Sequence, residues 1–203
     1  MRSKGFDGMV CSIAGVMAAI GDRWGLLILR DLVLGLSRYE DFRQSSGVTN
    51  ATLSDRLKHL EENGLIERRR YQVNPERFEY LLTPKGRQIA PVMPVLAQIG
   101  DRWDVSGASA PPLKFVNRKT GAGVGWSFVD QNTGEQLSAL DVAIKEGPGA
   151  DDLMRWRLSH TERRRHEHEV GDGASRQAAR REYERRSSRP RNGILRKVRD
   201  RDS

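Results

Sequence analysis

The chain has 203 residues, of which 37% are hydrophobic and 31% are charged, and its formal net charge is +8. This composition fits one domain of ordinary size with appendages, because the apolar core must be concentrated in part of the chain. The single cysteine, Cys11, excludes an intramolecular disulfide framework, and no run approaches the roughly 20 apolar residues of a membrane span. We therefore expect a cytoplasmic protein that does not contact membranes.

The positive charge is distributed unevenly. Residues 1–150 contain 19 basic and 17 acidic side chains, whereas residues 151–203 contain 16 and 10. Between residues 38 and 77 there are eight basic and seven acidic residues. The basic character thus belongs mainly to the C-terminal segment. The net charge therefore says little about what the first part of the chain binds.

Two apolar helices are predicted at the start of the patterned region. The first contains Val10, Ile13, Val16, Met17 and Ile20 at helical spacing. Gly21 interrupts it. The second begins at Trp24, is apolar around most of its circumference, and ends at Gly35, which suits a C-terminal cap. A short helix over Arg38–Arg43 follows, with Tyr39 and Phe42 directed to the core.

Residues 49–64 predict an amphipathic helix with one face free for another molecule. Thr49 is suited to cap the first turn, and Leu53, Leu57 and Leu60 share the core face. The opposite face carries Ala51, Asp55, Lys58, His59 and Glu62. Short polar side chains near a helix N-terminus can approach base edges, and Arg56 on the flank can reach a guanine or a phosphate. The predicted DNA contacts of this helix are Thr49, Asn50, Ala51, Thr52, Ser54, Asp55, Arg56 and Lys58.

A β-hairpin is predicted next, with strands over 65–71 and 77–83 and a tip at 73–76. It forms the wing of a winged-helix motif, and its predicted DNA contacts are Arg68, Arg69, Arg70, Asn74, Pro75 and Arg77. Because three consecutive strand residues alternate faces, at least one of the first three arginines is expected to pack or form a salt bridge instead. Thr83-Pro84 then predicts the start of a helix to about Trp103, bent at Pro91 and Pro94.

This order of motifs resembles the HxlR family of winged helix-turn-helix transcription regulators, which are MarR-like. The matching segments are Cys11, IGDRWGLLILRDL (20–32), SRYEDFRQ (37–44), TNATLSDRLKHLEENGLIERR (49–69) and FEYLLTPKGRQI (78–89). The resemblance implies a homodimer that is paired through the first and last helices of the domain and binds inverted-repeat operators. It also implies that the helix after Thr49 enters the major groove and the wing tip enters the flanking minor groove.

Cys11 has two interpretations. In part of the family, a cysteine at this N-terminal position senses oxidants or electrophiles, and a position near a helix N-terminus favours thiolate reactivity. The alternative is a small core residue at the start of the first helix, since cysteine is often buried. Because the chain has no second cysteine, a disulfide of Cys11 would have to join two subunits or a small thiol.

The C-terminal part is predicted to be a β-rich module followed by a tail. Residues 113–118, 125–130 and 140–145 have the pattern of short strands, and GAGVG (121–125) does not precede a helix as a phosphate loop would. The segment resembles a C-terminal extension of some longer relatives, in which paired Cys-Gly motifs suggest a zinc-ribbon-like hairpin. In this chain Thr-Gly pairs stand at 120–121 and 133–134 in place of the cysteines, so the metal ligands are missing. Residues 151–203 contain too little apolar surface to fold alone, although part can be transiently helical. The tail is either a solvated segment or a nonspecific DNA tether.

We therefore expect an α+β, mainly helical protein. Its predicted parts are an N-terminal arm (1–9), a winged-helix DNA-binding and dimerisation domain (10–106), a small β-rich module (107–150) and a disordered basic tail (151–203). The predicted function is that of a homodimeric, sequence-specific transcription repressor, cytoplasmic and nucleoid-associated, with double-stranded DNA as partner and an oxidant or an unknown small molecule as effector. The alternative is a protein- or RNA-interaction module. Neither enzymatic activity nor a cofactor or metal is expected.

Overall fold

The computed structural model describes residues 5–6, 8–104 and 107–171, and side chains up to Thr161. The described residues fall into two units, one up to Ile144 and one that begins at Lys145. The first unit is a winged-helix domain joined to a small β-rich module, which confirms the expected fold class. The finer division at residues 9, 106 and 150 stays a prediction.

The first two helices meet at a sharp corner. α1 spans Ser12–Ile20 and ends at Gly21, whose φ of 91° is one that other residues rarely adopt. α2 spans Arg23–Leu34 and ends at Gly35 in the left-handed conformation, as the sequence predicts. No single helix of the described residues is long and apolar enough to cross a membrane. The α1–α2 pair passes by length and composition only when both helices are counted together, and it is bent by 80°.

α3 and α4 form the helix-turn-helix pair. α3 spans Tyr39–Ser46, and α4 spans Asn50–Glu62. α3 continues three residues beyond its predicted end, and Ser46 Oγ donates to Phe42 O in its last turn. Phe42, Leu53 and Leu60 are fully buried and Leu57 is 2% exposed, which confirms the predicted inner face of α4. The core also contains Ile20, Ile28, Leu29, Leu65, Ile66 and Met93.

The wing is an antiparallel hairpin of β1 (Ile66–Gln72) and β2 (Arg77–Leu82). Its register pairs Ile66 with Leu82 and Arg70 with Phe78. The chain before α3 pairs briefly with the hairpin as well, because Arg38 forms an isolated antiparallel bridge with Glu79 of β2. The backbone N–H of Tyr80 also donates to Ser37 O at 2.7 Å. The base of the wing is therefore hydrogen-bonded to the helical part of the domain.

The segment after the wing differs from the prediction. Instead of one bent helix there are two, α5 (Pro84–Arg87) and α6 (Val92–Trp103), separated by turns. The break precedes Pro91, since proline lacks a donor and clashes with the preceding turn. Pro94 lies in the first turn of α6, where no intrahelical donor is needed. The cap by Thr83 is as predicted: Gly86 N donates to its Oγ1 at 3.0 Å. A Cβ on Gly86 would lie 1.9 Å from Leu65 O, so α5 contacts the start of the wing backbone directly.

The β-rich module has fewer strand residues than predicted. Its regular strands are β3 (Phe128–Val129) and β4 (Gln136–Leu137), with an isolated bridge between Val116 and Gly123. The predicted strand at 140–145 is wrong. Residues 139–141 form a 3-10 helix, started by the Ser138 hydroxyl, which accepts from Leu140 N. This local serine contact offers the backbone a helical turn in place of a strand ladder.

Two similar turns define this module. Asn117 Oδ1 accepts from the N–H groups of Lys119 and Thr120 at 2.8 and 3.3 Å. Asp130 Oδ1 accepts from those of Asn132 and Thr133 at 2.8 and 3.0 Å. Each turn ends in a glycine with positive φ, Gly121 or Gly134. Side-chain caps therefore hold the two turns that the Thr-Gly pairs mark in the sequence.

The second unit contains α7, which spans Asp152–Gly171. The predicted tail without fixed structure is thus helical in its first part, and residues 172–203 lie outside the described residues. Asp151 Oδ1 accepts from Met154 N at 2.7 Å, and Arg155 bonds both Asp152 and Glu146. Capping and ion pairs offset part of the ordering cost for a segment that has little apolar surface.

Candidate nucleic-acid interface

The outer face of α4 begins at a capped N-terminus. Thr49 Oγ1 accepts from Thr52 N at 3.3 Å and lies 3.0 Å from Thr52 Oγ1. The cap leaves the first turn accessible, because most of the predicted contact residues are exposed. The exposed ones are Thr49, Asn50, Ala51, Ser54, Asp55 and Lys58, and Thr52 and Arg56 are half-buried.

Tyr39 of α3 fixes the start of α4. Its hydroxyl donates to Asn50 O at 3.0 Å and lies 3.1 Å from Ser54 Oγ. Ser54 is one of the predicted DNA contacts, and its hydroxyl already has this partner. Tyr39 was predicted only to face the core. In the structure its hydroxyl also anchors the start of the exposed helix.

Arg56 is held by the domain and does not extend into solvent. Its Nε donates to Asp22 Oδ2 at 2.8 Å, its Nη1 donates to Asp55, and its side chain is 29% exposed. Asp22 is the N-cap of α2, and its Oδ1 accepts from Trp24 N and Gly25 N. Arg56 therefore joins α4 to the start of α2, an arrangement the helical projection did not predict.

His59 also faces the domain, contrary to the projection that placed it opposite the core. Its Nε2 donates to Ala18 O at 2.9 Å, which fixes the ring against the end of α1. Asn63 Nδ2 donates to His59 O at 2.8 Å, and Lys85 Nζ donates to Asn63 O at 2.8 Å. The projection failed here because α1 covers a side of α4 that its own sequence marks as polar.

The wing arginines are paired within the hairpin. Arg69 bonds Glu79 at 2.8 Å, Arg70 bonds Glu76 at 3.2 Å, and the Arg68 guanidinium lies 4.4 Å from the centre of the Phe78 ring. The expectation that at least one of the three would be a packing or salt-bridge residue holds for all three. Asn74 and Pro75 are exposed at the tip.

The candidate surface is close to electrically balanced. Within residues 38–77, all of which the structure describes, every basic side chain except Arg77 has an ion-pair or ring contact. Lys58 pairs with Glu62 at 3.7 Å, Arg43 with Glu40 at 2.8 Å, and Arg38 lies over the Tyr71 ring. Exposed ion pairs contribute little and are easily exchanged. Arg43 and Lys58, whose ion pairs are exposed, can therefore change partner when phosphates approach.

A second surface is apolar and lies on α1 and α6. Ile13 is 76% exposed and Trp103 is 73% exposed, although both belong to amphipathic helices of the domain. The neighbouring exposed apolar residues are Val10, Val16, Met17, Val92 and Leu96. Cys11 is the half-exposed N-cap residue of α1, next to this surface. Large apolar side chains exposed on both helices mark a candidate interaction site.

A cavity of about 320 Å³ lies at the base of the wing. Its lining includes Leu32, Leu36, Glu67, Tyr80, Leu82 and Arg87. Burial raises the pKa of the Tyr80 hydroxyl, so this group is neutral at ordinary pH. Among the described residues, no cluster of three or more His, Cys, Asp or Glu is arranged to hold a metal ion.

Known proteins share this architecture. Residues 19–107 match the HxlR-like helix-turn-helix family. Rv3095 of Mycobacterium tuberculosis, named as an HTH-type transcriptional regulator, is 35% identical over 138 residues, 68% of this chain and 87% of Rv3095. The crystal structure of PA1607, described as a candidate transcription factor, has a TM-score of 0.62 and 28% identity, and covers 71% of this chain and 100% of PA1607.

A second solved structure, PA1374 from Pseudomonas aeruginosa, is also described as a candidate transcription factor. It has a TM-score of 0.50 at 31% identity and covers 72% of this chain and 99% of PA1374. Both structural matches reach beyond the winged helix, since that domain alone ends near residue 104. The chain belongs to the HxlR-like helix-turn-helix family and is a transcription regulator of the helix-turn-helix type.

Proposed function

We propose that this regulator binds an inverted-repeat operator as a homodimer and represses transcription by occupying it, without catalysing a reaction. α4 enters the major groove with Thr49, Asn50, Ala51, Thr52, Ser54 and Lys58 toward the bases and phosphates, and the wing tip follows the flanking minor groove. The observation that carries this proposal is the accessible N-terminal half of α4, which is fixed from behind by Leu53, Leu57 and Tyr39.

Dimerisation is supported by the apolar surface on α1 and α6. A two-fold interface uses the same patch on both subunits, so one exposed patch per chain is sufficient. Two recognition helices related by such an axis read half-sites about 34 Å apart, or a multiple of this distance. The dimer thereby doubles the contacts of a surface that has little net charge.

Selection from random-sequence DNA tests the proposal directly. We expect the purified protein to enrich an inverted repeat whose half-sites are separated by about one helical turn or a multiple of it. Enrichment of no sequence, together with equal affinity for unrelated duplexes, would contradict operator recognition and favour the protein- or RNA-interaction module.

The dimer surface is tested with a matched pair of charge substitutions. Ile13→Asp adds a charge to the apolar surface and is expected to give monomers by light scattering and to abolish operator binding. Ile144→Asp is the control, because Ile144 is 79% exposed in the β-rich module, as Ile13 is 76% exposed on α1. A dimeric Ile13→Asp protein would exclude α1 from the interface.

Cys11 is the proposed sensor of the signal that releases DNA. Oxidant sensing by Cys11 stays a prediction, supported by its half-exposed position beside the apolar surface. It is tested by comparing release of operator DNA under peroxide for the wild type and Cys11→Ser. Equal release from both proteins would contradict sensing by Cys11.

A further inference from the structure

Two side chains of α4 attach it to one small region of the domain. Arg56 and His59 are three residues apart and therefore lie on the same side of the helix. Arg56 bonds Asp22, and His59 bonds the carbonyl of Ala18. Both partners belong to the corner between α1 and α2, which we define as residues 18–25.

The two oxygens of the Asp22 carboxylate have different hydrogen-bond partners. Oδ1 accepts from Trp24 N at 2.9 Å and Gly25 N at 3.2 Å, so the side chain is oriented by the first turn of α2. Oδ2 is thereby directed to Arg56 Nε at 2.8 Å. A carboxylate that is already fixed by backbone donors holds its arginine with less loss of side-chain freedom than a mobile surface partner.

The corner itself has almost no space for adjustment. A Cβ on Gly25 would lie 2.1 Å from Ile20 O, a backbone atom. A Cβ on Gly21 would lie 2.9 Å from Cδ2 of His59, so the imidazole rests directly against the corner backbone. The contact between the corner and α4 is therefore made by tightly packed atoms on both sides.

The corner also continues into the apolar surface, because α1 carries Ile13, Val16 and Met17 on its exposed side. We infer that Arg56 and His59 are positioning residues that set the orientation of the recognition helix relative to α1, and that Arg56 is not a direct DNA contact. In a dimer built on α1, the corner then determines the distance and angle between the two recognition helices. This inference rests on the proposed operator binding.

Asp22→Asn distinguishes a positioning role of Arg56 from a direct DNA contact, because the two roles predict opposite changes in operator affinity. Asparagine keeps the N-cap acceptor of α2 but removes the charged partner of Arg56. If Arg56 positions α4, affinity for the selected operator falls by about tenfold, the size of one charge-assisted hydrogen bond. Affinity for a scrambled duplex of the same length stays within about twofold. If Arg56 contacts DNA, its release from Asp22 raises operator affinity, and that result overturns the inference.

A double-mutant cycle gives the second measurement. Arg56→Gln in the Asp22→Asn background should cause little further loss, since the pair is already broken, whereas a direct contact would lose its full contribution there. Removing both partners also leaves no unpaired half-buried charge, so the double variant remains informative if a single one folds poorly. Cooperative unfolding by circular dichroism confirms the fold of each variant.

The control variant carries a substitution on the same helix, α4. Glu62→Gln neutralises a carboxylate that pairs only with Lys58 among the described side chains, and it should not weaken operator binding. Failure of the wild type to select any sequence would reject the proposed function. A wild type that binds its operator, with Asp22→Asn binding as tightly, would reject the positioning role alone.

Discussion

The two regions proposed to contact DNA are held in different ways. α4 is fixed by residues from four other places: the α1–α2 corner, Tyr39 of α3, Lys85 of α5 and the core beneath Leu53, Leu57 and Leu60. The wing arginines are paired almost entirely with residues of the hairpin itself, such as Glu76 and Glu79. The helix is thus presented in one orientation, whereas the wing charges must exchange partners to reach phosphates.

This difference assigns different roles to the two elements. Preorganised side chains favour specificity, because little ordering remains to be done on binding. Exposed ion pairs such as Arg70–Glu76 are worth little in water, so exchanging a carboxylate for a phosphate costs little. The wing therefore acts as an adjustable phosphate contact beside a fixed reading helix.

The largest effect is expected from removing the support behind α4. Leu57→Ala leaves a cavity at a site that is 2% exposed, and the free energy of unfolding should fall by about 2–5 kcal/mol. Val73→Ala at the wing tip should change it by less than about 0.5 kcal/mol. Chemical denaturation measures both. Equal losses would show that the wing is as much a part of the core as the helix.

A substitution in the wing is expected to have a smaller effect, which is a gain in DNA affinity and not a loss of stability. Glu79→Gln releases Arg69, so DNA affinity should rise a few-fold, and the dependence of log K on log salt should steepen by about one phosphate contact. Glu67→Gln on β1 is the control, since it removes the same charge and Glu67 forms no salt bridge with the residues that the structure describes. If both variants raise affinity equally, the gain comes from net charge and not from a freed arginine.

The smallest effect is local and depends on pH. Hydrogen bonds from the Thr133 and Asn132 N–H groups to the Asp130 carboxylate lower its pKa. These bonds favour the charged form, so their contribution is complete above the ordinary aspartate pKa and is lost as pH falls through the lowered value. Amide NMR signals of Thr133 and Gly134 should then shift on acidification.

The turn at Asn117 provides the internal control for this titration. Its asparagine makes the same two contacts but does not ionise in this range, so the Lys119 and Thr120 amides should not follow the same transition. Simultaneous loss of both turns would indicate unfolding of the whole unit and contradict a local effect of Asp130.

Local patterns predicted the scaffold of the site. The Thr49 cap, the buried Leu53, Leu57 and Leu60, and the Thr83-Pro84 helix start depend on spacings of a few residues, and the structure confirms each. The hairpin strands were predicted within one residue of their observed ends. Such features follow from helix and strand periodicity, which a sequence displays directly.

Contacts between segments that are distant in the sequence could not be predicted from local periodicity. Asp22 and Arg56 are separated by 34 positions, and a helical projection places Arg56 on a flank without showing what covers it. Asp22 was missed at the sequence level, although an aspartate directly before a predicted helix start is a signal for an N-cap whose second oxygen needs a partner. The strand predicted at 140–145 failed for the opposite reason, because the local Ser138 contact outweighs alternating apolar residues there.

The close approaches at Gly25 and Gly86 divide the domain into parts that can and cannot be redesigned. At both positions a methyl group would overlap a backbone carbonyl, and no rearrangement of side chains relieves such an overlap. A library aimed at a new operator should therefore keep these two glycines and the Asp22–Arg56 pair constant. It can vary Ala51 and Lys58, which are exposed and bond nothing outside α4, so that changing them alters mainly what the helix recognises.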